Sequence, residues 1–497
     1  MPKDFFSVER TTSLSAVPAG GKIHVIGVCG VAMAQLSVAL SQRGYVVSGS
    51  DKEFYEPMRS LLGSSEVTTK TGYLAEHVPL DASLVVIGNA ISYGNPEVDV
   101  VERSSLPYTC FPKLLQEVAI AGKHSVVVTG THGKSTTTAL IATLFVESGK
   151  HPSYFVGGIA QGLPSSLEVG TGALSVVEGD EYDSAFFAKV PKFSFYTPDT
   201  AVINAIEYDH ADIYPNVEAI EAEFTKLVLG LKKGGTAICC IDFPRVKRLV
   251  GEWRSAAQCR IVTFGRDPEA DFCITDRESA GMAQRVSVRS SALGSLSLLL
   301  PLVGEYNARN ALAALIVSHV VGLDPAKSIR ILESFKPVKR RQEVRLQKGG
   351  VALIEDFAHH PTAVRQTVEA VREAFPQARL WAVFEPRSNT SRRKVFQQEY
   401  VDAFRRADRV ILRNVVARAI DTGVELIDVS ALSSAIAASG VSSACLQDVQ
   451  AIRDHLWSEI RPNSAEREVK EVVFVMSNGS FDGLNDLLQA DLQRICA

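Results

Sequence analysis

No stretch of this sequence is apolar for long enough to cross a bilayer, and Met1-Pro-Lys-Asp-Phe5 lacks the basic and apolar regions of a secretory leader. Both absences predict a cytoplasmic protein without membrane insertion. The eight cysteines are scattered and none forms a C-x-x-C pair, which excludes an obvious zinc centre or disulfide framework and leaves reduced, mostly core, thiols. Long basic runs are missing too. At a formal net charge of −4 nothing suggests the clustered positive surface that nucleic acid requires, so small anionic partners are expected instead.

What is present is ordinary globular material: 497 residues, 46% apolar and 22% charged, more than one core holds and enough for about three domains. The stretch Val126-Val-Val-Thr-Gly-Thr-His-Gly-Lys-Ser-Thr-Thr-Thr138 reads as an apolar strand, a turn with Gly130 and Gly133, and a helix opened by Lys134. Such a junction suits a phosphate: glycines let backbone N–H groups approach, the helix N-terminus favours an anion, Lys134 adds a cation, and the Ser135 hydroxyl can ligate Mg²⁺. Val128 stands where G-x-x-x-x-G-K-[ST] has its first glycine, and a plain strand–turn–helix bend is the alternative.

Ahead of it, a leader of about a dozen residues reads as loose and polar. Then Ile23-His-Val-Ile-Gly27-Val-Cys-Gly30-Val-Ala-Met33 looks like a Rossmann-type strand, turn and helix, followed by a strand ending at Asp51. Cys29 replaces the second glycine of G-x-G-x-x-G, so pyrophosphate binding is plausible and NAD is not the obvious ligand. The strand Leu84–Ile87 leads into a polar loop, Gly88 to Pro96, at a strand's carboxyl end, where open α/β sheets hold ligands.

After the glycine turn, Leu174-Ser-Val-Val-Glu178-Gly-Asp180-Glu181-Tyr-Asp183 gathers four carboxylates whose mutual repulsion a magnesium ion would relieve, and Thr200 to His210 is a second strand ending in Glu207, Asp209 and His210. Residues 235–300 read as further strands joined by polar turns. Asn307 and Asn310 share one face of a helix after Gly304 and could read an adenine edge, although N-capping would explain one of them. Beyond Phe335-Lys-Pro337, strands and helices alternate as in a parallel α/β unit, with ligand loops at Glu355 to Pro361, Glu385 to Thr390 and Ser477 to Ser480, preceded by Lys339-Arg340-Arg341. The predicted architecture is α/β in three domains: a Rossmann-like N-terminal domain (1–120), a central P-loop ATPase-type parallel-sheet domain (121–335) and a C-terminal Rossmann-like domain (336–497).

This ordered set of a P-loop, a strand-end Glu, Asp-His, Asn-x-x-Asn, Arg-Arg and Asp-x-x-His-His-Pro resembles the Mur ligase family over nearly the whole chain, and Thr129-Gly-Thr-His-Gly-Lys-Ser-Thr136 is similar to its variant P-loop. The resemblance implies ATP-dependent amide-bond formation through an acyl phosphate. It implies that Gly130, Thr131, His132, Gly133, Lys134, Ser135 and Thr136 cradle ATP, that Ser135 and Glu178 bind one Mg²⁺ and His210 a second, and that Asn307 and Asn310 lie at adenine. Arg341 would meet the terminal phosphate and Asp356 the ribose. Lys134, His210 and Arg341 would carry the catalysis. Further segments, among them Asp180-Glu-Tyr-Asp-Ser-Ala-Phe-Phe187 and Glu385-Pro-Arg-Ser-Asn-Thr390, resemble the branch that joins UDP-N-acetylmuramate to the tripeptide L-alanyl-γ-D-glutamyl-meso-diaminopimelate in peptidoglycan recycling. The L-alanine-adding branch is the alternative. Substrate contacts are expected at Gly27, Gly30, Asp51, Asn89, His359, Arg387 and Ser388, in a monomer or weak homo-oligomer. Gly179 departs from the family's usual Ala, and Lys226 falls one residue away from where some relatives carry a modified lysine.

Overall fold

The computed structural model describes residues 5–210, 213–415 and 425–496. The chain is mixed α/β. It divides into one compact unit of Met1–Glu207, Glu218–Asp271 and Leu312–Ile331, and another of Tyr208–Val217, Phe272–Ala311 and Leu332–Ala497.

In the first unit, a parallel sheet runs in the order Thr68–Thr71, Val46–Asp51, Lys22–Ile26, Leu84–Ile87, Tyr108–Cys110. Leu84–Ile87 is buried at every position, as strands covered on both faces are. Helix Val31–Gln42 starts directly after Gly30, so the first strand's carboxyl end and the helix N-terminus share the Gly27–Gly30 turn. From Phe5 onward the leader is not loose. Phe6 is buried against Tyr108 and Phe187, the Ser7 N–H donates to the Tyr108 hydroxyl, and Lys113 donates to the Thr11 carbonyl. Two adjacent phenylalanines, at positions 5 and 6, outweigh the polar residues around them.

The same unit holds the strands Arg260–Gly265, Thr236–Cys240, Thr200–Ile203, His124–Thr129, Leu174–Glu178, Ser153–Phe155 and Leu167–Glu168, in that order and parallel except for the last pair. The His124–Thr129 strand lies between the strand ending in Glu178 and the one leading to Glu207, so both send their ends to the turn it feeds. Helix Lys134–Glu147 is buried from Ser135 to Phe145, as its near-continuous apolar and threonine sequence demands. The expectation of strands and turns alone over 235–300 is corrected by helix Pro244–Ala256, whose first-turn proline initiates rather than breaks it.

The second unit contains an antiparallel meander, Phe272–Ala280, Ala283–Ser290 and Gly294–Leu300, and a sheet in the order Glu343–Lys348, Val351–Asp356, Glu471–Met476, Arg379–Phe384, Arg409–Arg413, Ser442–Leu446. That sheet is parallel except at Glu343–Lys348, which pairs antiparallel with Val351–Asp356. Alternate residues of its central strands feed opposite cores: Leu380, Ala382 and Phe384 on one face, Trp381 and Val383 on the other.

Candidate active site

Gly130 takes φ 116°, and a Cβ there would lie 2.7 Å from the Ala205 backbone nitrogen, so only glycine lets the turn pass this close to the neighbouring strand end. Gly133, at φ 79°, ends the turn and Lys134 begins the helix. Side-chain anchors fix the loop between them. The Thr131 N–H donates to Ala205 O at 3.0 Å, the Glu207 N–H donates to Thr131 Oγ1 at 2.9 Å, and His132 Nε2 lies 2.6 Å from Glu207 Oε2. Thr136 is buried on the first helical turn, where backbone N–H groups lack intrahelical acceptors. Together these make an anion cradle.

Lys134 Nζ donates to Gly130 O at 2.9 Å and to the Glu181 carboxylate at 2.8 and 3.1 Å. Burial works against its charge, yet Glu181 and Asp180 outweigh burial and hold its pKa above the ordinary lysine value. Lysines neutralise three of the four carboxylates. Asp180 pairs with Lys192 at 2.7 Å, Asp183 pairs with Lys189, and Glu181 pairs with Lys134. Glu178 differs: it accepts from Ser135 Oγ at 3.1 Å and from the Gly157 N–H. A buried carboxylate beside a hydroxyl is a hard-oxygen donor set that suits Mg²⁺. Gly179 also has its reason, since a Cβ there would sit 2.6 Å from Val127 Cγ1.

At the first sheet, Asp51 accepts from the Cys29 N–H at 2.8 Å, the Tyr73 hydroxyl at 3.0 Å and the Lys52 N–H at 2.8 Å, which locks the Gly27–Gly30 turn. Asn89 is exposed in the following strand-end loop. The same loop sends Tyr93 to a tilted ring contact with Phe186 at 4.4 Å, a meeting that the sequence reading did not anticipate.

In the second unit, His210 adopts φ 52° and its N–H donates to Asp209 Oδ1 at 2.6 Å, to which Thr390 Oγ1 also donates. Burial would raise the Asp209 pKa, but His210, His360 and His359 pull it well below the ordinary range. The His359 carbonyl accepts from Tyr400, and Ser388 Oγ donates to Ser391 Oγ at 2.9 Å. Asn307 and Asn310 are linked at 3.2 Å, and Asn307 reaches Gln342 at 3.2 Å. The Gln342 N–H donates to Asp356 Oδ2 at 2.8 Å, and the Arg341 guanidinium lies 4.7 Å from the Phe357 ring centre. Gln342 was not expected from sequence, nor were the partners of Glu181 and Thr390. A Cβ on Gly479 would fall 2.3 Å from Arg387 Nε, so the Ser477–Ser480 loop meets the Glu385–Thr390 loop at that glycine. Lys226, on helix Val217–Leu229, pairs with Glu223 at 2.6 Å and is largely exposed.

The structure thus gathers Lys134, Ser135, Glu178, Gly27, Gly30, Asp51 and Asn89 in one unit, and His210, Asn307, Asn310, Arg341, Asp356, His359, Arg387 and Ser388 in the other. Comparisons with known proteins cover most of the chain. Residues 22–123 match the Mur ligase family catalytic domain, 128–318 the Mur ligase middle domain, and 340–479 the Mur ligase glutamate ligase domain. The UDP-N-acetylmuramate–L-alanyl-γ-D-glutamyl-meso-2,6-diaminoheptandioate ligase of Escherichia coli K12 is 32% identical over 485 residues, 94% of this chain and 97% of its own. The chain belongs to the Mur ligase family. A UDP-N-acetylmuramate–L-alanine ligase of Salinibacter ruber is 35% identical over 408 residues, 81% of this chain and 82% of its own. A solved murein peptide ligase from Psychrobacter arcticus superposes with TM-score 0.70 at 28% identity, covering 96% of this chain and 100% of that one.

As a Mur ligase, the protein is an ATP-dependent enzyme that forms amide bonds. Among the described residues no helix is long and apolar enough to cross a membrane.

Proposed function

We propose that this Mur ligase joins UDP-N-acetylmuramate to L-alanyl-γ-D-glutamyl-meso-diaminopimelate in the cytoplasm, as a step of peptidoglycan recycling. Likeness to the tripeptide-adding relative over 94% of the chain carries this reading, against 81% for the L-alanine-adding one. Arg387, in the loop after strand Arg379–Phe384, is the guanidinium this reading assigns to a carboxylate of the peptide. Domain boundaries near residues 120 and 335 belong to the same proposal.

In this scheme a carboxylate oxygen of the muramyl group attacks the γ-phosphorus of ATP, and ADP leaves. The tripeptide amine then attacks the acyl carbon, inorganic phosphate leaves, and the nitrogen loses a proton. Lys134 and Arg341 neutralise charge that spreads over the transferred phosphoryl oxygens, while the 130–136 turn holds the phosphates in line. Ser135 and Glu178 would hold one Mg²⁺ and His210 a second; bound there, the ions supply electrostatic stabilisation of phosphate charge. Gly27, Gly30, Asp51 and Asn89 serve the UDP-sugar, Asn307, Asn310 and Asp356 the nucleoside of ATP, and His359, Arg387 and Ser388 the peptide.

The deciding assay offers free L-alanine and the tripeptide in competition, with ATP and UDP-N-acetylmuramate supplied. Conjugation of the tripeptide is expected. Exclusive use of L-alanine would transfer the chain to the other branch, and phosphate release that needs neither acceptor would reject both.

A further inference from the structure

Asn307, on the first turn of helix Glu305–Val320, has no proton left to offer a ligand. Its Nδ2 donates to Val303 O at 2.8 Å and to Gln342 Oε1 at 3.2 Å, and its Oδ1 accepts from Asn310 Nδ2 at 3.2 Å. A primary amide carries two N–H protons, and both are committed. The Val303 carbonyl can only accept, so it sets which way the Asn307 amide faces. Asn307 in turn sets the Gln342 amide, with its oxygen toward Asn307 and Nε2 at the far side. That Nε2 is the end of the chain. Gln342 is 4% exposed and its Nε2 has no hydrogen-bond partner. Buried donors are almost always satisfied in folded proteins, so one left at the end of an oriented amide chain points to an acceptor outside the protein.

The backbone holds Gln342 in place deliberately. Arg340 and Gln342, neither of them glycine, sit in the left-handed region at φ 60° and 50°, and the Gln342 N–H is fixed to Asp356 Oδ2 at 2.8 Å. Gln342 is therefore tied through its main chain to the residue proposed for the ribose and through its side chain to those proposed for adenine.

We propose that Gln342 is a specificity-determining residue of the nucleotide site: Nε2 donates to a ring-nitrogen acceptor of the purine, and Asn307 and Asn310 are positioning residues that orient it. This rests on the nucleotide reading above and replaces the idea that Asn307 itself donates to the base. The sequence signal was absent, since a glutamine after two arginines has no motif.

The test is calorimetric titration of the full chain with ATP and with three analogues, each having one purine ring nitrogen replaced by C–H. The wild type is expected to lose about tenfold in affinity for one analogue alone, the worth of a buried hydrogen bond. Gln342→Leu should weaken ATP by the same factor, lose nothing further with that analogue, and bind UDP-N-acetylmuramate as the wild type does. Gln342→Glu, which keeps the acceptor for Asn307 but removes the donor, should match Gln342→Leu. A wild type that binds ATP and all three analogues alike overturns the proposal without any variant, and so does a Gln342→Leu protein with unchanged ATP affinity. A wild type that binds no ATP at all would instead remove the nucleotide reading beneath it.

Discussion

Lys134 and Glu181 form a buried ion pair, with Nζ 2.8 and 3.1 Å from the two carboxylate oxygens, and the third ammonium proton goes to Gly130 O at 2.9 Å. The ammonium is saturated. A nucleotide phosphate must therefore take Glu181's place rather than meet a vacant cation. Glu181→Gln, which keeps the shape and removes the charge, should lower the ATP dissociation constant several-fold; unchanged or weaker ATP binding would show that Glu181 does not compete. Lys134→Ala should reduce kcat/KM by at least about a hundredfold, in line with loss of one charge-stabilising group. Its circular dichroism should remain that of the wild type.

The Gly157 N–H donates to one oxygen of Glu178 and Ser135 Oγ to the other; a glutamine keeps the first bond with its amide oxygen and can donate from its amide nitrogen to the Ser135 hydroxyl. Glu178→Gln should fold normally yet need much more magnesium. The Mg²⁺ concentration for half-maximal activity is expected to rise about tenfold or more, because a hard divalent cation loses an anionic oxygen. An unchanged magnesium titration would exclude Glu178 from the metal site.

How much of this was legible depends on range. The 130–136 turn was readable because strand, glycine turn and helix start are consecutive, and glycine at 130 answers a local clash with Ala205. The Lys134–Glu181 pair spans 47 residues, and the Thr390–Asp209 bond spans 181, so no spacing announces either. The Phe272–Ala280 strand escaped notice because most of its second half is exposed and polar, leaving no alternating pattern to see. The carboxylate cluster was legible as a charge problem, but the lysines that answer three of its four charges were not, since Lys192 reaches Asp180 from a 3-10 turn that follows a hairpin the sequence did not declare.

Asp180 is buried against Lys192 and Lys134; burial alone would raise its pKa, but the two ammonium groups hold it below the ordinary value. A carboxyl depressed in the folded state adds stability above its unfolded pKa, about 3.9, and loses it as pH falls through the lower folded value. Asp180→Asn should therefore be less stable than the wild type at pH 7, by about 3 to 5 kcal/mol if Lys192 is left buried and unpaired. The gap should narrow as the pH drops below about 4. Denaturant midpoints measured across that range check the sign, and a gap that stays constant or widens in acid would refute it.

Gly479 and Arg387 offer a way to move a functional side chain without altering it. The guanidinium lies where a Cβ on residue 479 would be, with Nε, Cδ and Cζ all within 2.5 Å of that position. The Ser477 side chain, which donates to Glu385 at 2.6 Å and accepts from the Gly479 N–H at 2.9 Å, keeps the loop backbone from retreating. Gly479→Ala must therefore push Arg387 aside, an inexpensive shift for a long side chain and a small one for the fold. If Arg387 binds tripeptide carboxylates, Gly479→Ala and Arg387→Ala should raise the tripeptide KM alike, by roughly tenfold for one charged hydrogen bond, and leave the ATP KM near the wild-type value. Because both act through one group, the double variant should be no worse than Arg387→Ala alone. Additive losses would mean that Gly479 matters for its own backbone, and equal effects on ATP and tripeptide would place Arg387 outside peptide recognition.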